Sequence, residues 1–212
     1  MNILVIGGTR GTGKLCIERL IARGDRVRLA ARNTEKARKL FGDRVEHVTV
    51  DLAHPDATLK DCFDGIDHVI FTAAVPAGPA KESAVRTVDF EGVVATLAAA
   101  KAARFQGRFV YMTTIGVHHQ SAFMAFLNFI KGDLSGWRAR AEEAIVSSQV
   151  DYAIVRAGAL TNGSGGRSLS VTPGDRPLTF GTWVNRDDVA RVIVDKIFAV
   201  DATPRDISVV HA

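Results

Sequence analysis

Ile3-Leu4-Val5-Ile6-Gly7-Gly8-Thr9-Arg10-Gly11-Thr12-Gly13 decides how the rest of the chain is read. Four consecutive apolar residues are what a strand buried on both faces of a parallel sheet requires. A glycine-rich turn follows without a spacer. Leu15, Leu20 and Ile21 then mark a helix from Lys14 that stops at Gly24. Strand, glycine turn and helix form the start of a βαβ unit whose helix N-terminus offers unpaired N–H groups to a phosphate. Gly7 is read as the tight turn, Gly11 as the point where backbone approaches a pyrophosphate, and Gly13 as the close helix–strand contact. The spacing is G-x-x-x-G-x-G rather than G-x-G-x-x-G. A glycine-rich hairpin would need a second strand directly after the turn, and the sequence offers a helix instead.

The chain has 212 residues, 47% of them hydrophobic. That is the size and composition of one α/β domain whose core needs no disulfide. Cys16 and Cys62 both fall on predicted helices, so no disulfide framework is expected and the cytoplasm is the natural compartment. The apolar start is one strand long and belongs to the glycine motif, so it is not read as a signal peptide. No apolar run approaches the ~20 residues of a membrane span. The net charge is +4, but the basic residues are scattered and aromatics are few. This fits attraction to small anionic ligands better than a nucleic-acid groove, and neither nucleic acid nor a membrane is an expected partner. His118 and His119 stand together without a nearby carboxylate or third ligand, so no metal site is expected. There is no internal repeat or linker.

Residues 27–31 form the second predicted strand, which ends at Arg32-Asn33. In a dinucleotide-binding sheet this end faces the adenine ribose. An acid there accepts from the 2′-hydroxyl of NAD, whereas a basic residue meets the 2′-phosphate of NADP. No acid stands here. Arg32 is at the site, Lys36 lies one helical turn on, and Arg10 is in the first loop. These cations favour NADP(H) over NAD(H); the plain alternative is that Arg32 and Lys36 are ordinary surface charges. Thr34 is expected to cap a short helix through Leu40. Residues 45–50 alternate as a third strand ending in Asp51-Leu52, where Asp51 accepts from the adenine amino group, caps the next turn, or does both. A short helix is expected over residues 56–63. The fourth strand, 68–72, ends in Thr72-Ala73-Ala74, small residues suited to a ribose. A long helix over 82–103 carries Val85, Val88, Val93, Leu97 and Ala100 as its apolar face, with Asp89 turned to solvent or to another helix.

The fifth strand, 108–112, is tipped by Thr113 and Thr114. Their hydroxyls either point into the crevice or cap the strand end; in the first case Thr113 meets the cofactor and Thr114 the substrate. Residues 122–130 are a compact apolar stretch, open between pocket lining, core and interface. A helix over 137–147 and a sixth strand over 151–156 follow, and Ala157, Gly158 and Leu160 carry the strand end toward the nicotinamide amide. Residues 161–176, rich in Gly and Ser, read as a flap. A helix over 187–199, capped by Asn185 or Asp187, and a strand over 207–210 come last.

The stretches Gly7–Gly13, Asp51-Leu52, Val110-Tyr-Met-Thr-Thr114, Asp151-Tyr-Ala-Ile-Val-Arg156-Ala-Gly158 and Arg186-Asp-Asp-Val-Ala190 resemble the short-chain dehydrogenase/reductase superfamily over nearly the whole length. The last two look like its atypical, NmrA-like branch, which also holds flavin/biliverdin reductase-type proteins. The resemblance implies a Rossmann-like, doubly wound parallel sheet with helices on both faces. It implies one domain over 1–212, with a cofactor half of about 1–115 and substrate-side segments of about 116–135 and 157–185. It also implies an NAD(P) site made of Gly7, Thr9, Arg10, Gly11, Thr12 and Gly13, then Arg32, Asn33, Lys36, Asp51 and Leu52. The strand tips complete it, with Thr72, Ala73, Ala74, Thr113, Ala157, Gly158 and Leu160.

One departure stands out. The superfamily's Tyr-x-x-x-Lys, in which lysine lowers the tyrosine pKa and holds the ribose, is not recognisable. The chain has two tyrosines, Tyr111 and Tyr152, and both fall within strands. Counting back from Ser148 puts Leu134 and Arg138 at the expected pair. Arg138 is read as keeping a ribose or charge role without acid–base capacity, with Lys131 as the alternative. Three readings remain. One is an NADPH-dependent reductase of a small flavin-, quinone- or carbonyl-type molecule without a tyrosine acid. The second is a dinucleotide-sensing regulatory protein. The third is an epimerase/dehydratase-like enzyme, which the missing tyrosine disfavours. The segments 117–135 and 161–180, which would shape the substrate site, read as loop-like, and a monomer or homodimer fits equally well.

Overall fold

Both faces of β1 (Asn2–Ile6) are covered, which is why its sequence runs apolar without alternation. In the computed structural model, which describes residues 1–55, 57–199 and 204–212, Ile3 and Val5 enter one core cluster while Leu4 and Ile6 enter the other. The chain continues through α1 (Gly11–Ala22), β2 (Arg26–Ala31), α2 (Thr34–Phe41), β3 (Glu46–Thr49), α3 (Ala57–Asp61) and β4 (His68–Phe71). Then come α4 (Glu82–Val85), a π-helical stretch (Arg86–Glu91), α5 (Gly92–Ala102), β5 (Arg108–Thr114), α6 (Ala122–Lys131) and α7 (Leu134–Ser147). The last elements are β6 (Asp151–Ala157), β7 (Ala159–Thr161), β8 (Leu169–Pro173), β9 (Trp183–Asn185), α8 (Arg186–Ile197) and β10 (Asp206–His211).

The main sheet has the order β3-β2-β1-β4-β5-β6-β10-β8. All neighbours are parallel except β8, which runs antiparallel to β10 at the edge. Strands β7 and β9 form a separate parallel pair. Side chains of α1, α2 and α8 fill one face of the sheet, and those of α3, α5 and α7 fill the other. The Rossmann-like doubly wound architecture is therefore present. After β3 the chain crosses to the far side of β1, and the reversal opens a crevice at the carboxyl ends of β1 and β4.

Several local expectations are corrected. Helix α1 starts at Gly11 rather than Lys14. Asn33, not Thr34, caps α2, its Oδ1 accepting from the Lys36 N–H at 2.8 Å. The predicted start of the third helix at Asp56 lies outside the described residues. The long helix is not one α-helix: the π-helical stretch interrupts it at Asp89, a local widening common near functional sites. Residues 122–131 are not loop-like. They form α6, capped by Ser121 Oγ accepting from the Met124 N–H at 3.1 Å. Met124 packs against Ile115, Leu178 and Val210, while Phe126 and Phe129 stay exposed. The Gly- and Ser-rich flap contains β8, an edge strand paired with β10. Periodicity misled there because an edge strand in contact with solvent has little apolar signal. Among the described residues no helix is long and apolar enough to cross a membrane.

Candidate functional site

The glycine turn lies against the tip of β4. Gly7 has a φ of 95°, and a Cβ there would sit inside van der Waals contact of the Ala73 backbone. A Cβ on Gly13 would press on Gly7 O and Thr72 Oγ1. Thr72 itself donates to Ile6 O and Gly7 O at 3.3 Å, so β4 holds the turn directly. Helix α1 thus presents its first turn close against the strand tips. Within that turn the Thr12 hydroxyl is buried and has no hydrogen-bond partner among the described residues. A buried hydroxyl without a partner is costly unless a ligand supplies one. Thr9 is half-buried, and Arg10 reaches across to Ala74 O at 3.4 Å.

At the end of β2, Arg32 and Lys36 are exposed and form no ion pair among the described residues. Asp51 accepts from the Ala53 N–H at 3.0 Å, so it caps the turn after β3. Leu52 packs on Gly92 of α5. On the other side of the crevice, Thr113 is buried on the same strand face as Tyr111, while Thr114 donates to Ala157 O at 3.3 Å. Gly158 donates to Val209 O and abuts Thr182 O, and Leu160 lies in β7.

Arg138 comes to this crevice on the inward face of α7, but it is engaged. Its guanidinium bonds Asp89 at 2.8 Å, and Asp89 is 1% exposed. Burial works against the Arg138 charge, but Asp89, Tyr111 and Glu142 more than offset it and hold its pKa up. The second Asp89 oxygen accepts from the Val75 N–H at 3.0 Å. Next along the chain, Pro76 O accepts from the Lys131 ammonium at 2.6 Å. Burial and then the Arg138 charge push the Lys131 pKa down. The buried Lys131, the half-buried Arg138 and one carboxylate therefore fix the segment that follows the β4 tip. Asp89 was expected at solvent or a helix contact; the solvent part fails. The signal was available, since Val85, Asp89 and Val93 recur every four residues and so share a buried face. Tyr111 is buried, which pushes its pKa up.

The histidine pair is also corrected. His118 does meet a carboxylate: its Nε2 lies 2.9 Å from Glu142 Oε2. Glu142 is bound by Arg156, which also pairs with Asp206 at 2.9 Å. These partners are 14 to 50 residues apart in sequence, which is why spacing did not find them. Among the described residues no cluster is placed to hold a metal ion.

The residues Asn185 to Asp188 tie down the loop after β7. Thr161 Oγ1 donates to Asn185 Oδ1 at 2.6 Å, and Asn185 Nδ2 donates to Ser164 O at 3.0 Å. Arg186 Nη1 donates to Asn162 Oδ1 at 2.7 Å, and the Gly165 and Gly166 N–H groups bond Asp187 and Asp188. Asn185 holds the N-cap position of α8, yet its amide is spent on this loop rather than on the helix.

A glycine turn at a helix N-terminus, a buried hydroxyl within it that lacks a partner among the described residues and exposed cations at the β2 tip fit an anionic dinucleotide. The match to known sequences agrees: residues 7–199 fit the model of the NAD(P)H-binding family. The chain belongs to that family. It is 30% identical over 156 residues to the photosystem II assembly factor Ycf39 of Trieres chinensis, a match covering 74% of this chain but 45% of that protein. It is 28% identical to sanguinarine reductase of Eschscholzia californica, covering 93% of this chain and 84% of the reductase. Its fold is that of a Bacillus halodurans protein assigned as an NAD-dependent epimerase/dehydratase, with a TM-score of 0.84 at 22% identity, covering 100% of this chain and 94% of the other. Membership fits the atypical short-chain dehydrogenase/reductase branch and accounts for the reductases among the relatives.

Proposed function

We propose that this chain is an NADPH-dependent reductase that delivers hydride to a small flavin-, quinone- or carbonyl-type acceptor without a tyrosine acid. The observation that carries the reading is the cofactor crevice itself. It joins an anion-ready glycine turn to strand tips where neither tyrosine stands. The likeness to sanguinarine reductase supports it. When bound, the cofactor supplies a hydride. The first turn of α1 holds its diphosphate, and Arg32 and Lys36 receive the 2′-phosphate of NADPH in preference to the hydroxyl of NADH. Gly158 and Leu160 border the nicotinamide, with backbone groups rather than long side chains at that end. The Thr114 hydroxyl, held by a long bond to Ala157 O, orients an acceptor oxygen. An acceptor whose reduced form takes its proton from water needs no protein acid. The reading includes a cytoplasmic location, consistent with two buried cysteines, Cys16 and Cys62, and a monomer or homodimer. Nucleic acid and membrane are not its partners.

The test is NADPH consumption, followed by absorbance, with a panel of flavins, quinones and carbonyl compounds. Turnover with one class identifies the acceptor. A second reading, a dinucleotide-sensing protein, is favoured by one observation: Arg138 is locked by Asp89. Tight NADPH binding with no turnover across the panel would select it.

A further inference from the structure

We infer that Arg186 binds the diphosphate of the nicotinamide cofactor, exchanging its tether to Asn162 for phosphate oxygens. The inference rests on dinucleotide binding, and not on the reductase chemistry proposed above. Helices α1 and α8 lie on the same face of the sheet, joined by Arg19 to Asp187 at 2.7 Å and by Cys16 Sγ near Ala190 O. Gly11 is the first residue of α1, with a φ of 54°. A Cβ built there meets only Arg186, whose Nε and Cδ lie 3.7 and 3.8 Å away. The guanidinium stem therefore lies over the N-terminus of α1, at the residue before Thr12, whose hydroxyl is buried without a partner among the described residues.

The charge arrangement is unfavourable as it stands. Arg186 is also the first residue of α8, so one cation sits at the positive ends of two helix dipoles. Its neighbouring acids do not neutralise it. Asp187 is taken by Arg19 and the Gly165 N–H, and Asp188 by the Gly166 N–H, with His211 at 3.5 Å. Arg186 donates instead to the neutral Asn162. An anion between the two helix ends resolves this, because both dipoles and the guanidinium then attract the same group. A diphosphate is the anion of the right size and place. The 2′-phosphate belongs at the β2 tip near Arg32, so Arg186 does not distinguish NADP from NAD. It also couples the cofactor to the loop that Asn162 begins.

The test is calorimetric binding of NADP⁺ and NAD⁺ to the wild type, Arg186→Gln, Arg186→Lys and Asn162→Ala, with melting temperatures taken without nucleotide. Arg186→Gln should weaken both nucleotides by the same factor, about tenfold or more for a lost charge-assisted contact. Arg186→Lys, which keeps the charge but loses the fork, should fall between, and it serves if the Gln variant does not fold. Asn162→Ala removes the tether and leaves the guanidinium, so affinity should hold or tighten. Unchanged affinity in the Arg186 variants, a loss confined to NADP⁺, or an equal loss in Asn162→Ala would each overturn the inference. A wild type that binds neither nucleotide would instead bring down the dinucleotide site on which it rests.

Discussion

At the scale of single residues, the cofactor-side assignments and the missing acid make separable predictions. Arg32 is exposed without an ion pair among the described residues, so its charge is free for a 2′-phosphate. A charge-assisted phosphate contact contributes ~1.5–3 kcal/mol. Arg32→Ala should therefore weaken NADPH about tenfold or more and leave NADH unchanged, as read by calorimetry; parallel losses for both would rule the assignment out. The tyrosines predict the opposite kind of result. Tyr152 packs in the core near the amino end of β6, with Arg205 over its ring at 5.5 Å, far from the strand tips where chemistry belongs. Tyr152→Phe should leave turnover within a few-fold, because general acid catalysis, worth ~10²–10⁴-fold, is not at stake there. Thr114→Val should cost about one hydrogen bond, ~1 kcal/mol, in kcat/KM. A thousandfold loss for Tyr152→Phe with Thr114→Val unaffected would relocate the acid.

Among the elements, α1 is the one whose position the site depends on. A Cβ at Gly13 meets a backbone carbonyl, Gly7 O, which has little freedom to withdraw. Gly13→Val should therefore push α1 off the β1–β4 tips and abolish dinucleotide binding. The two core clusters should survive, because α1 enters only one of them, through Cys16, Ile17 and Leu20 further along. Near-native far-ultraviolet circular dichroism with no detectable binding is the expected result, and a folded variant that still binds would show the motif is misplaced. Helix α6 teaches a different lesson about elements. Its apolar run did not say which side chains would be covered, and burial chose Met124 over Phe126 and Phe129. Coverage depends on Ile115, Leu178 and Val210, which arrive from three separate parts of the chain.

For the whole molecule, His68 gives a pH-dependent stability with a defined sign. Its Nδ1 accepts from the Arg108 N–H at 3.0 Å, joining the amino ends of β4 and β5. An imidazole that accepts at Nδ1 cannot also carry a proton there. Burial first, and then Arg108 against the opposing pull of Asp67, lowers its pKa in the fold. The unfolded chain then binds the proton more readily, so this contribution is complete above the unfolded value of about 6.5. It is lost as pH falls through the lower folded value. Thermal melting between pH 7.5 and 5.5 should show the wild type losing stability on acidification. His68→Asn, which keeps an uncharged acceptor, should show a shallower slope; identical slopes would exclude His68 as the cause.

The sequence by itself determined the sheet and the turn. Residues 3–13 carry both signals locally: a strand hydrophobic on both faces, and glycines where a side chain would collide. Adjacent residues suffice for such features, so the βα order and the glycine turn were legible. Tertiary structure decided which charged side chains meet across the fold. Asp89 against Arg138, Lys131 against Pro76 O, His118 against Glu142 and Arg186 over Gly11 each join elements from 24 to 175 residues apart. Buried charges must find partners wherever the fold brings them, and no local period records where that will be. The Asp89 position on an apolar helical face was the one such pairing the sequence hinted at, because a carboxylate at a buried spacing requires a partner it does not itself name.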